Sequence, residues 1–414
     1  MSQWQPIWRV KINGVEVTDS VLSNLTITSG RNNIYEQPYA GYCNFQIIKF
    51  DSSSDSYAVT QSISIEVQDS TAAYVPIFGG SITDLSQEIA QVGSVMNAQR
   101  INIIATGALS KIARTTTLGV LSKDFDGDQI YEILNGILLN QWQEVSPSLT
   151  WGGYDPSVTW ATAENGGLGE IDRPGDYELD ARLSSEINVL QLVQELATSG
   201  LGYIYESATG AISYADSTHR NTYLATNGYV ELTANHALGV GITTTTRIGD
   251  VRNKVTLQYK SNQSQEVSDS DATSIALFGE QAQVISTTLD KLVDATDQAA
   301  FYLSLRAYPR ANFEAIRYEL TNSELDDADR DNLLNIFMGM PVRISDIPVN
   351  MGSIFQGFVE GWTFQANYNR LTLTLNASPL AFSLQAVRWN GVNPAETWSS
   401  VSGTLDWENA TIVA

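Results

Sequence analysis

Residues 185–220 read SEINVLQLVQELATSGLGYIYESATGAISYADSTHR. Val189, Leu190, Leu192, Val193, Leu196 and Ala197 recur at helical spacing, which predicts an amphipathic helix with a broad apolar stripe. Ser185 is placed to cap its start, and Glu186 suits the positive end of the helix dipole. Gly200 is placed to end it in the left-handed conformation. Tyr203 and Tyr205 then alternate with Ile204 and Glu206, Gly210 turns the chain, and Ile212 and Tyr214 alternate on the return. That pattern predicts a tight β-hairpin. A helix running into a hairpin marks an α/β region but names no chemistry, so the flanking sequence has to place it.

The flanks are strand-like. In residues 1–110, Trp8, Val10 and Ile12 alternate, Asn13-Gly14 supplies a primed turn, and Val15 and Val17 resume. Leu25 and Ile27, Phe45 and Ile47, Ile63 to Val67, Tyr74 to Ile82 and Ile101 to Ala105 continue the series. Strands at this spacing predict a barrel or sandwich. Residues 111–240 form an α/β insert, with a helix predicted over 129–139 and a tryptophan-bearing loop (Trp142, Trp151, Trp160) before the helix–hairpin unit. Residues 241–379 return to strands: Val255 to Tyr259, Phe313 to Leu320, Pro341 to Ile344, Ile354 to Val359 and Leu371 to Leu375. A polar loop is expected at 261–274 and a helix at 291–307, ended before Pro309. Residues 380–414 read as an extended tail anchored by Trp389, Trp398 and Trp407. No alignable sequence repeat is evident, but the architecture would repeat on either side of the insert.

Composition narrows the class. The chain of 414 residues is 43% apolar and 17% charged, enough for sizeable cores and too apolar for disorder. With 46 acidic and 23 basic residues, its formal charge of −23 argues against wrapping nucleic acid, which needs Lys and Arg to displace counterions. It argues equally against an anionic membrane surface. Cys43 is the single cysteine, so no internal disulfide forms, and its strand-like setting predicts a buried structural thiol. The start of the chain lacks a signal-peptide pattern and no apolar run is long enough to span a bilayer, so a soluble protein without a membrane anchor is expected.

Several segments resemble phage tail hub proteins, and they come in the same order. Phe78-Gly79-Gly80-Ser81-Ile82-Thr83-Asp84 resembles the strand leaving the first barrel of that family, and the 185–220 unit resembles a recurrent segment of it. Asp250 to Leu257 resembles the strand opening the second barrel, and Ala295 to Pro309 the helix that follows. Leu333-Leu334, Gly339 to Ile344, Phe358 to Trp362 and Leu371 to Pro379 resemble the closing segments. The resemblance covers roughly 75–379, and the start of the chain is similar to minor tail proteins of long-tailed phages.

It implies a mainly β fold with an α+β insert: a first tube-like β-barrel over 1–110, the insert over 111–240, a second barrel over 241–379 and the extension over 380–414. It further implies a homotrimer whose six barrels match the six-fold tail tube, a pseudo-repeat turning six-fold into three-fold. A tail tube or distal tail ring would lie above, and tip, spike or fibre proteins below. Three copies would carry three times −23, or −69. An acid-lined channel would then let DNA pass without binding it. The protein would be assembled in the host cytoplasm and carried in the virion at the tail tip. The other reading is a carbohydrate- or receptor-binding tail protein using the tryptophans of 142–160.

Enzyme chemistry is not expected. His219 and His236 are the two histidines; His219 sits at a hairpin exit and reads as a turn residue. No Gly-x-Ser-x-Gly elbow or phosphate-binding glycine loop occurs, and one cysteine with two histidines excludes the usual zinc sites. Asp124-Phe125-Asp126-Gly127-Asp128 fails the calcium-loop spacing, with Gly127 at position 4 and Asn135 at position 12, and reads as an Asp-capped helix entry. Glu324 to Asp329 reads as a solvated loop. No catalytic, cofactor-binding or metal-binding residue is therefore assigned. Without a peptidase or lysozyme-like extension, cell-wall digestion is not expected either.

Overall fold

Alternation of apolar and polar residues builds strands with one dry face, and such faces must find one another. The computed structural model describes residues 4–18, 20–49, 57–91, 98–142, 168–236, 244–309, 311–313, 316–349, 354–367 and 370–380. The readings made for Trp151, Trp160, Trp389, Trp398 and Trp407 lie outside the described residues.

The first region holds β1 (Trp8–Ile12), β2 (Val15–Glu16), β3 (Ser20–Gly30), β4 (Tyr39–Lys49), β5 (Ser62–Gln68), β6 (Tyr74–Gln91) and β7 (Ala98–Thr106). Asn13 and Gly14, at φ 51° and 76°, make the primed turn between β1 and β2. The strands run antiparallel in the order β2-β1-β5-β6-β7-β4-β3.

The middle region holds α1 (Leu109–Ile112), β8 (Thr116–Thr117), β9 (Asp124–Phe125), α2 (Asp126–Trp142), β10 (Leu168–Ile171), β11 (Glu178–Leu179) and β12 (Ile187–Asn188). It continues with α3 (Val189–Ser199), β13 (Tyr203–Glu206), β14 (Ile212–Ala215), α4 (His219–Asn227) and β15 (Val230–Thr233). α3 and the β13–β14 hairpin are the predicted unit, with Gly210 at φ 87° in its turn. Two caps differ from expectation. Asn188, not Ser185, caps α3, its side chain accepting from the Gln191 N–H at 3.1 Å. Gly200 has φ −82°, and Leu201 takes the left-handed conformation at φ 54° instead.

The last region holds β16 (Thr244–Thr246), β17 (Lys254–Tyr259), β18 (Gln265–Ser270), α5 (Ala272–Phe278), β19 (Ala282–Ser286) and α6 (Leu292–Arg306). It ends with β20 (Ala311–Phe313), β21 (Ile316–Glu319), α7 (Asp327–Leu334), β22 (Pro341–Ser345), β23 (Phe355–Asn367) and β24 (Arg370–Pro379). The polar loop expected at 261–274 is largely β18 and the start of α5. β18 is an edge strand beside β17, and an edge with exposed faces needs little apolar content. The solvated loop expected at Glu324 to Asp329 also runs into α7, capped by Asp326, which accepts from Asp329 N–H at 2.7 Å.

Burial sorts these elements differently from chain order. One core joins Phe45, Ile65 and Ile103 of the first region to Tyr318, Phe364 and Leu373 of the last. The second joins Leu134, Leu196 and Tyr214 of the insert to Leu257, Ala299 and Leu303 on β17 and α6. The first core is crossed by a continuous sheet, because β23 pairs antiparallel with β3, from Gly361 opposite Gly30 to Ala366 opposite Leu25. The chain is therefore mostly β, as expected, but the pairing gives sheets, not two closed barrels. Along the large sheet, the terminal strands β15 and β2 each have a single partner among the described strands.

The sheet does contain a repeat. The antiparallel order β3-β4-β7-β6-β5 recurs as β16, then β20 leading into β21, then β24-β23-β22. Both long strands bulge at the same place: after Ile82, opposite Ala105, and after Val359, opposite Ala377. Aligned on the bulges, Phe78-Gly79-Gly80-Ser81-Ile82 matches Phe355-Gln356-Gly357-Phe358-Val359. The two stretches share Phe at the first position and Gly at the third, so the repeat lies in strand order and bulge position, with little sequence identity.

Candidate functional site

Three clusters of charged side chains, each with buried or inward-turned groups, lie around the helix–hairpin unit. The first lies where the two β regions meet the insert. Glu360 sits in the bulge of β23, Arg31 just past the end of β3, and Arg220 on α4; all three are buried. Arg31 Nε lies 2.6 Å from Glu360 Oε2, while Arg220 reaches both carboxylate oxygens at 2.7 and 3.0 Å. Ser378 on β24 donates its hydroxyl to the same carboxylate, and the Arg31 N–H donates to the Glu360 carbonyl at 2.8 Å. Arg220 also stacks 4.5 Å from the Tyr203 ring centre on β13. Burial pushes the Glu360 carboxyl upward, but Arg220 and Arg31 outweigh it and hold the group at about 2. Burial lowers Arg31. One carboxylate thus ties three chain segments together.

The second place fastens the hairpin to the first sheet. Glu206 is half-buried, but its carboxyl turns inward and accepts from the N–H groups of Leu109, at 2.9 Å, and Gly41. A Cβ at Gly107 would meet that carboxyl at 2.0 Å. A Cβ at Gly79 would meet the Thr209 backbone at 2.5 Å, so the hairpin tip rests on β6 because that position carries no side chain. Burial raises the Glu206 carboxyl to about 7, against the pull of its backbone donors.

The third place is an acidic cluster at the hairpin's other end. Asp126 is fully buried at the start of α2; it accepts from Tyr177 N–H at 2.9 Å and from the Tyr214 hydroxyl. The helix entry read at Asp124 to Asp128 is where α2 begins, but the Asp126 side chain holds β14 and the 177 turn. Burial raises Asp126 to about 7 and Asp216 to about 6. His219, read as a turn residue, opens α4, with Nδ1 at 2.7 Å from Asp172 Oδ2. Burial would lower that imidazole, but Asp172 outweighs it and raises it.

These shifts fix a pH profile. Glu206 and Asp126 have folded pKa values above their ordinary ones, so the stability they give is full below the ordinary range and lost as pH rises through about 7. Glu360 runs the other way: its contribution is present above its ordinary value and lost as pH falls toward about 2. The melting temperature is expected to peak near about pH 5 and decline by about pH 8. Glu206→Gln should remove part of that decline, on the order of 2 kcal/mol. Thermal melts of both proteins across this range check it; an identical decline in the variant counts against Glu206 as a source.

The arrangement is suited to holding segments together. His219 is engaged by Asp172, and Ser217 gives its hydroxyl to Asp176, so the two do not form a nucleophile–base pair. A cleft lies beside Arg31, Tyr35, Tyr203 and Arg220, at the edge of the charged junction. Cys43 is fully buried, which pushes its thiol well up. Among the described residues, no group of three or more His, Cys, Asp or Glu is arranged to hold a metal, and no helix is long and apolar enough to cross a membrane. Sequence reasoning singled out His219 and Asp126 but missed Arg31, Arg220, Glu206 and Glu360, which carry no local motif.

Compared by sequence, the chain matches no protein family and no curated protein. Compared by structure, it is similar to the tail protein from Neisseria meningitidis MC58, with TM-score 0.59 and 11% identity, over 92% of this chain and 98% of that one. It is also similar to the 43 kDa tail protein of prophage MuSo2 from Shewanella oneidensis, with TM-score 0.57 and 8% identity, over 91% and 99%. Over nine-tenths of its length, this chain has the fold of phage tail proteins.

Proposed function

We propose that the chain is a structural hub of a phage tail, three copies of which form a pseudo-six-fold ring between the tail tube and the tip. The observation that carries this reading is the internal repeat: two β halves of like strand order, joined edge to edge through β3 and β23. Two like halves per chain are what a three-copy ring needs to meet a six-fold tube. The distal tail ring or tube would sit above, the spike or fibre proteins below, and the protein would act in the virion without catalysis.

The ring's channel would be lined by the solvent face of the continuous sheet. Across β24, β23, β3, β4 and β7 that face carries Thr374, Thr363, Thr28, Asn44, Gln46 and Asn102. Arg317, opposite Thr374, and Asp84, two residues before Ser86, stand on the same face, so the polar row carries few charges and offers phosphate little counterion-release gain. Two ion pairs also stand along it, Arg100 with Glu88 and Arg370 with Glu319.

Mass is the direct test. Three copies of the 45.3 kDa chain should appear in solution as one species of about 136 kDa. A monomer at all concentrations up to tens of micromolar would remove the reading.

A further inference from the structure

The internal junction is a template for a contact between copies. It joins β3, the outer strand of the first half, to β23, the long bulged strand of the second. What remains at the two outer edges is the same pair of positions: β6, the long bulged strand of the first half, and β16, the counterpart of β3 in the second. β6 pairs with β5 only up to Ser81, while its pairing with β7 runs on to Gln91. Beyond the bulge it therefore has an open side among the described strands. β16 pairs with β20 alone. Ser86, Gln87 and Glu88 on that open stretch are exposed, and Ile89 is 63% exposed. A long open edge with an exposed apolar residue is a feature that proteins cover.

Direction and register both carry over. β3 and β23 are antiparallel, so β16 and β6 would be antiparallel too. Aligning the bulges places Ser86, opposite Asn102, where Thr363 stands opposite Thr374. Phe45 and Ile316 face Ile103 and Leu375, which the bulges also align. Counting back from them places Phe313 where Tyr42 stands. Thr244, opposite Phe313, is then the counterpart of Thr28, opposite Tyr42. In the junction itself Thr28 and Thr363 face each other, their hydroxyl oxygens 3.4 Å apart.

We infer that β6 of one copy adds as a strand beside β16 of the next, with Ser86 opposite Thr244, so that the polar sheet runs unbroken between copies. The contact is head-to-tail and leaves one of each edge free on every added copy, so it repeats until the ring closes. This inference rests on the ring reading above and adds to it the strands and the register.

Paired cysteines test it in the full chain. Facing residues in adjacent strands bring their β-carbons close enough for a disulfide. The buried Cys43 does not compete. Thr28→Cys with Thr363→Cys should close within one chain and serves as the reference. Ser86→Cys with Thr244→Cys should give covalent dimers and closed trimers on a non-reducing gel, with either single variant giving none. The native mass of the same samples separates the outcomes. A trimer that does not cross-link, or cross-links only through Ser86→Cys with Thr246→Cys, overturns this contact and leaves the ring standing. A monomer overturns both.

Discussion

Replacing Glu360 by Gln is expected to cost about 3–5 kcal/mol of stability, since removing one partner of a buried ion group leaves charge uncompensated. The Glu360 carboxylate answers two guanidinium groups, and all three side chains are at most 5% exposed. Glutamine keeps the shape and loses the charge, so Arg31 and Arg220 would face each other in a dry junction. Neither arginine can shed its proton at ordinary pH, which blocks the usual escape of neutralisation. Because the three residues belong to β23, the end of β3 and α4, the loss should loosen the insert and the two β regions together. Glu319→Gln is the matched control: its partner Arg370 is 66% exposed, and loss of that pair should cost no more than about 1 kcal/mol. Urea unfolding of the two variants separates them. Equal shifts in midpoint would mean that the buried group does not hold the junction.

Gly30→Val is expected to break the β3–β23 pairing itself. Gly30 has φ 87°, where a side chain costs about 1–2 kcal/mol before any contact is counted. An added Cβ would lie 2.3 Å from the Glu360 carbonyl oxygen and 2.5 Å from Gly361 Cα. Both atoms are backbone, so no rotamer change relieves the overlap. A total loss of about 3 kcal/mol or more follows, concentrated at the junction. Amide exchange should quicken along β3 and β23 before it quickens in β17 or α6, which belong to the second core. Gly136→Ala in α2, where an added Cβ meets nothing within 4 Å among the described residues, should instead gain about 0.5–1 kcal/mol. Exchange that rises evenly across the chain in Gly30→Val would show the junction is not a separate unit of stability.

Much of the local structure was legible because it depends on neighbours in the chain. The apolar stripe from Val189 to Ala197 is α3, and the alternation on either side of Gly210 is the β13–β14 hairpin. The helix read at 291–307 is α6, Leu292–Arg306. Errors fell where two short-range options were close in energy. Ser185 and Asn188 are both good caps, and the chain uses the one next to Val189. A polar run such as 265–270 is a loop or an exposed edge strand according to whether a neighbour pairs with it, and β17 does.

The charged junction was illegible for a different reason. Arg31 and Glu360 are 329 positions apart, and Arg220 and Glu360 are 140 apart. No spacing rule reaches that far, and each residue alone reads as a solvated charge. The same holds for Glu206, whose carboxyl is enclosed only because Gly41 and Gly107 leave space for it.

By itself, then, the sequence determined most of the long strands, the helices α2, α3 and α6, which faces are apolar, and that the chain flanks an α/β insert with β structure. These follow from side-chain period and turn chemistry, which act over a few residues. Only the tertiary structure decided that β17 and α6 pack with the insert, that β3 and β23 fuse the two β regions into one sheet, and that Glu360 pins the insert against it. Those outcomes depend on which apolar faces bury together and on whether each buried charge finds a partner, and both are settled between segments that only folding brings into contact.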